Sequence, residues 1–169
     1  MNERIEKALN DQVQAEFYSF YLYLAVASYF TTVHLDGFAH WMRVQSEEEL
    51  LHALKIVDFL NDRGGAVRLQ ALDAPPSEWQ SPVAAIEAVL RHEQHITARI
   101  DDLVGIAEEV RDRPATVLLH WFVNEQVEEE ATADTLFNQV CMVADSPHGL
   151  LMLDRELAGR PSPTATEAQ

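Results

Sequence analysis

A single cysteine, Cys141, is all that this chain of 169 residues contains, which excludes an intrachain disulfide and a thiolate metal cluster. Cys141 follows Val140 at the end of an apolar stripe and reads as a small, buried or half-buried hydrophobe. Basic residues are scarce too. Lys and Arg number 12 against 28 Asp and Glu, a net charge of -16. No basic patch outweighs that balance, so nucleic acid is excluded as a partner, as is an anionic membrane surface. The same balance suits attraction of metal cations as well as plain solubility. Long apolar runs are missing. The aromatic-rich stretch from Phe17 to Phe30 is about 14 residues long and carries Glu16 at one edge, short of a membrane span. The segment from Met1 to Lys7 is charged and lacks an apolar signal core. These absences predict a soluble, cytoplasmic protein with no membrane partner. No internal repeat is visible beyond a loose similarity of two halves.

What is present is one domain's worth of chain, 47% hydrophobic, enough for a sizeable core. Four apolar stripes run at steps of three and four, the period of one helix face. The first passes through Ile5, Leu9, Val13, Glu16, Phe20, Tyr23, Ala27 and Phe30. The second holds Phe38, Met42, Gln45, Glu49, His52, Ile56 and Phe59. The third holds Ile86, Val89, Glu93, Ile96, Ile100, Leu103, Ala107 and Val110. The fourth holds Phe122, Gln126, Glu129, Ala133, Leu136 and Val140. Each stripe is interrupted at its middle by metal-ligand side chains. A carboxylate there points into a core, where an unpaired charge costs several kcal/mol or takes up a proton. One in each of four helices implies that the polar groups converge on something cationic.

The punctuation predicts an all-α chain. A first helix spans about Glu3 to Thr32, broken by His34-Leu35-Asp36-Gly37, with Asp36 or a neighbour as cap of the next. A second runs from about Phe38 to Arg63 and stops at Gly64-Gly65. Ser81-Pro82 opens a third, to about Arg111. Asp112-Arg113-Pro114 opens a fourth, to about Ala144, and Asp145-Ser146-Pro147 a short fifth with Leu150, Leu151, Leu153 and Leu157. Residues 1–158 form the domain and 159–169, rich in Pro, Thr and Ala, a flexible tail. Connections within each flanking pair are short, so those pairs are antiparallel. The middle linker is about 16 residues, longer than a bundle turn needs. At about 3.3 Å per residue it spans a helix of about 42 Å, so the second and third helices run parallel across one long crossover.

Glu49-x-x-His52 and Gln126-x-x-Glu129 each put two side chains on one helix face, while Glu16 and Glu93 stand alone on theirs. This resembles the ferritin-like di-iron carboxylate bundles, in which two helices give a lone Glu and two give Glu-x-x-His. The departure is Gln126 and Glu129 where a second Glu and His would stand. That departure, with Gln14-Ala15-Glu16-Phe17-Tyr18, Glu47-Glu48-Glu49-Leu50-Leu51-His52, His92-Glu93-Gln94 and the run from Trp121 to Glu130, resembles bacterial non-haem ferritins over nearly the whole chain. Leu50 stands where bacterioferritins carry a haem-ligating Met, so no haem is expected. The small Dps-type cages lack a fifth helix and build their site between subunits.

The resemblance implies a ferroxidase that stores iron. Glu16, Glu49 and His52 would hold a first iron. Glu49 as bridge, with Glu93 and Gln126 or Glu129, would hold the second, Gln126 directly or through water. Glu48, Glu125, Glu128 and Glu129 match a third, weaker iron position. Tyr23 matches a tyrosine near the centre that donates an electron, and Trp121 a neighbouring residue. The substrates would be Fe(II) and O2 or H2O2, the product a ferric oxyhydroxide mineral, and the assembly a homo-oligomeric shell of 24 subunits with the fifth helix at its fourfold axes. Hard carboxylate oxygens with one imidazole suit this metal and leave positions open. Glu130 and the remaining histidines read as surface or structural residues. Two other readings stand beside this one: a non-storage di-iron peroxidase or oxidase on the same bundle, and a scaffold whose polar core residues set register only.

Overall fold

The computed structural model describes residues 1–162, and these are all-helical. Four long helices, α1 (Glu3–Thr32), α2 (Asp36–Asp62), α3 (Pro82–Glu109) and α4 (Arg113–Val143), precede a short α5 (Pro147–Leu157). Ser81, Asp112 and Ser146 each accept a hydrogen bond from the backbone N–H three residues on. A proline follows in the first turn of α3, α4 and α5, where no intrahelical donor is lost. Helices α1, α2 and α3 end alike. His34, Gly64 and Arg111 take positive φ, and the N–H groups of Leu35, Gly65 and Asp112 reach back to the carbonyls of Phe30, Leu60 and Ala107. That closes each last turn, with glycine at only one of the three.

Helix α2 starts differently from expectation. Its N-cap is Leu35, which has no side chain to offer, and Asp36 lies inside the first turn. The N–H of Phe38 donates instead to Oδ1 of Asp154, on α5, at 3.0 Å. Gly37 permits this contact, since a Cβ there would stand 1.6 Å from the Asp154 carbonyl oxygen.

The core falls into two apolar clusters, and their membership defines the topology. One gathers Tyr23 to Phe30 of α1, Phe38 to Met42 of α2, Ala85 to Leu90 of α3 and Ala133 to Val140 of α4. The other gathers Ile5 to Val13, Ile56 and Leu60, Ile96 to Ala107, and Ala115 to Phe122. The beginnings of α2 and α3 therefore share one end of the bundle, and those helices run parallel. Each buried Phe, Leu or Ile contributes about 1.5–3 kcal/mol by leaving water, so the ends of the bundle carry its stability. The crossover between α2 and α3 is pinned along α1. Asn10 Nδ2 donates to Ala66 O and its Oδ1 accepts from Arg68 N; Gln14 Nε2 donates to Ala71 O; the Trp79 ring meets Tyr29 edge-on.

Helix α5 packs on α2 and α4. Leu153 and Leu157 join the first cluster, while Leu151 and Met152 stay exposed. Cys141 is exposed, contrary to expectation. Val140 takes the core position, and the next residue, about 100° further round the helix, faces out. No described helix is long and apolar enough to cross a membrane.

Candidate metal centre

A polar layer separates the two apolar clusters. Glu16 comes to it from α1, Glu49 and His52 from α2, Glu93 from α3, and Gln126 and Glu129 from α4. All but Glu129, which is half-buried, are buried. Each lies mid-helix on the inward stripe, so helical geometry alone turns it toward the others.

Two sets of ligand atoms meet within 4.8 Å of one another, Glu16 with Glu49 and His52, and Glu49 with Glu93 and Glu129. Glu49 belongs to both. The His52 ring fixes the spacing on one side, with Nδ1 3.6 Å from Glu49 Oε2 and Nε2 3.8 Å from Glu129 Oε1. Trp121 and Phe122 meet that ring edge-on. Tyr23 donates its O–H to Glu93 Oε1 at 2.5 Å. The Gln126 side-chain amide donates to Glu93 Oε2, to the Glu93 carbonyl and to Thr97 Oγ1, each at 3.3 Å. Its nitrogen thus faces a carboxylate, as a donor.

The electrostatics are those of a site short of positive charge. Burial, and then the nearby Glu93 and Glu16 carboxylates, push Glu49 well above the usual carboxylate range. Burial, and then Glu49 and Glu93, do the same to Glu129. Glu93 is raised by burial, against the lowering effect of its bonds from Tyr23 and Gln126. Tyr23 is held protonated by burial and by the Glu93 charge. Oε2 of Glu16 and Oε2 of Glu129 are buried without a hydrogen-bond partner. Such orphaned acceptors call for an explanation, and a cation between them supplies one.

Other residues sit around the centre that the stripe pattern passed over. Gln12, a turn before Glu16, is buried and donates to Glu16 Oε1 at 2.9 Å. Arg99 in turn holds the Gln12 oxygen and the Asp11 carbonyl. A polar residue four places from a ligand was the available signal. Thr97 links Gln126 to Glu130, donating to Glu130 Oε2 at 2.8 Å, so Glu130 is half-buried and engaged, not merely solvated. His92 bonds to Ser19 Oγ and lies edge-on to Tyr23. Burial, with His95 and Arg99 nearby, pushes it down to about 4, so it is neutral at neutral pH.

The remaining expected residues stand beside this layer. Glu48, Glu125 and Glu128 line a cleft of about 200 Å3 together with His52 and Glu129. His52, Glu125 and Glu129 form a third set of ligand atoms within 4.8 Å. Glu48 is already engaged: it pairs with Arg160 at 2.5 Å.

Residues 6–143 match the family model for the ferritin-like domain. A bacterial non-heme ferritin of Bacteroides fragilis is 38% identical over 95% of this chain and 99% of its own. One from Staphylococcus aureus is 33% identical over 95% and 96%. The crystal structure of an open pore ferritin from the hyperthermophilic archaeon Archaeoglobus fulgidus superposes with a TM-score of 0.94 at 48% identity, covering 95% of this chain and 99% of that one. With four carboxylates and an imidazole gathered at mid-bundle, the chain belongs to the ferritin family, the iron-storing ferroxidases.

Proposed function

We propose that this ferritin takes two Fe(II) ions as substrate, the first between Glu16, Glu49 and His52, the second between Glu49, Glu93 and Glu129. The observation that carries this reading is the pair of ligand sets sharing Glu49, with buried unpartnered oxygens on Glu16 and Glu129. Two Fe(II) give up two electrons to O2, which with two protons becomes H2O2; peroxide in turn serves as an oxidant.

The chain's own groups have distinct tasks. Glu49 is shared, so its carboxylate changes mode as the ions gain charge. Glu93 is held at both oxygens, by Tyr23 and by Gln126, and so presents a fixed face. Gln126 acts through Glu93, while its own oxygen is free to meet the second ion or a water. Gln12 aligns Glu16 in the same way. The protonated Tyr23 touches a ligand, so it is placed to lose an electron toward the pair and its proton toward Glu93. His52, Glu125 and Glu129, with Glu48 and Glu128 in the same cleft, make the third, weaker position. The ions are stored as a ferric oxyhydroxide mineral inside a cytoplasmic shell of 24 copies.

Aerobic addition of Fe(II) to metal-free protein, wild type beside Glu49→Ala, tests the reading. Ferric absorbance is followed in the first seconds, with light scattering on the same sample. The expected result is a fast phase saturating near two Fe per chain in a very large oligomer, and its loss in the variant. Fast oxidation in a monomer or dimer would favour the non-storage oxidase. No oxidation above buffer would leave the bundle as a scaffold.

A further inference from the structure

Past the end of α5, residues 159–162 turn back on α2, while the rest of the expected flexible tail lies outside the described residues. The carbonyl of Arg160 accepts a bond from His40 Nε2 at 2.8 Å. Ser162 Oγ donates to Glu47 Oε2 at 3.1 Å. Between these anchors the Arg160 side chain enters the acidic cleft. Its guanidinium lies 4.4 Å from the centre of the Trp41 ring. Nη1 donates to Gln45 Oε1 at 2.9 Å, and Nη2 to Glu48 Oε2 at 2.5 Å. Side-chain exposure is 21% for Arg160 and 27% for Glu48, so water screens the pair only in part.

The cleft holds four carboxylates, those of Glu48, Glu125, Glu128 and Glu129, and Arg160 is a fixed positive charge among them. A guanidinium never loses its charge at physiological pH, and its planar fork is oriented here by the ring below and the amide beside it. A cation in this cleft therefore meets two obstacles. It is repelled by a like charge, and one of its acidic ligands is already taken.

We propose that Arg160 is a built-in counter-ion that withholds Glu48 from the third metal position and so sets how weakly that position binds. The inference rests on the reading of the cleft as a metal position. The two-ion centre, whose ligands other than His52 and Glu129 lie outside the cleft, fills first. A third ion has full use of Glu48 only when the guanidinium is displaced. Arg160 thus acts on specificity for the number of ions held, and it touches no reacting atom.

The test is calorimetric titration of Zn(II), which is redox-inert, into the assembled metal-free protein. Wild type, Arg160→Gln, Glu48→Gln and the double variant are compared, with light scattering confirming equal assembly. Arg160→Met, which keeps an apolar stem over Trp41, replaces Arg160→Gln if that variant assembles poorly. All are expected to keep two tight Zn(II) per chain. A third is expected to bind at least tenfold more tightly without Arg160, and the gain to vanish when Glu48→Gln is added. In the presence of Arg160, Glu48→Gln should weaken third-ion binding, because the guanidinium is then left unpaired among the remaining carboxylates. An equal third affinity with and without Arg160 overturns the role of Arg160 and leaves the third position standing. A gain that survives Glu48→Gln overturns the withholding of Glu48. Absence of any third ion in every variant overturns the metal position itself, and Arg160's role with it.

Discussion

Tyr23 and Gln126 each give a hydrogen to one of the two oxygens of Glu93. Groups that orient a metal ligand typically matter 10–100-fold in affinity or rate. Tyr23→Phe is therefore expected to leave the fold intact and to slow the initial oxidation phase about tenfold or more. Stopped-flow ferric absorbance at two Fe(II) per chain reads this, and an unchanged rate would remove both the orienting and the electron-donating roles. At this scale the sequence was informative wherever a charge broke an apolar stripe, because burial there has no bland explanation. The burial of Glu16, Glu49, His52 and Glu93 was legible for that reason, and Gln126, a neutral amide on the same stripe, from its spacing to Glu129. Gln12 and Thr97 were not, since an amide or hydroxyl on a helix flank is ordinary in any sequence. Arg160 was hidden more completely: it follows the last helix, where no period says which way a side chain turns.

The helices themselves were legible to within two or three residues, because proline-marked starts and apolar periods agree. The crossover was legible from its length alone. Which element caps α2 was not, since Asp154 is distant in sequence and only folding brings it to Phe38. That junction is tight. Gly37→Ala would drive a methyl into the Asp154 backbone, so α5 has to shift or detach, at a cost of about 1–3 kcal/mol. Limited proteolysis between α4 and α5 is expected to accelerate in this variant, with a lowered melting temperature. If cleavage and melting both match wild type, the junction does not hold α5 in place. The arrangement also ties α5 to the helix that carries Glu49 and His52, so a disturbance at the end of the chain reaches the centre through α2.

For the whole molecule the buried acids create a dependence on pH whose sign can be worked out. Glu49, Glu93 and Glu129 titrate above their ordinary 4.5 in the folded chain. Their contribution to stability is full below that value and is lost as pH rises through the folded values. Asp112 behaves oppositely. Its bond from Arg63 holds it below its ordinary 3.8, so its contribution is present above 3.8 and lost as pH falls through the folded value. His92, pushed down to about 4 by burial, works against the glutamates in acid: its contribution is full above its ordinary 6.5 and is lost as pH falls. From about 6.5 upward the glutamates decide the sign, so metal-free protein is expected to melt at lower temperatures as pH rises from there, with saturating Zn(II) flattening the decline. Scanning calorimetry between about pH 6.5 and 8 reads this, and a melting temperature that rises across that window without metal would contradict it. The two-cluster core explains how the bundle tolerates such a centre: the apolar ends hold the helices while the middle awaits its cargo. Wherever Glu49 and Glu129 keep their hydrogens until a metal arrives, the centre works as an ion exchanger. Each incoming cation then expels hydrogen ions before any electron has moved, and loading would register first as acidification of a weakly buffered solution.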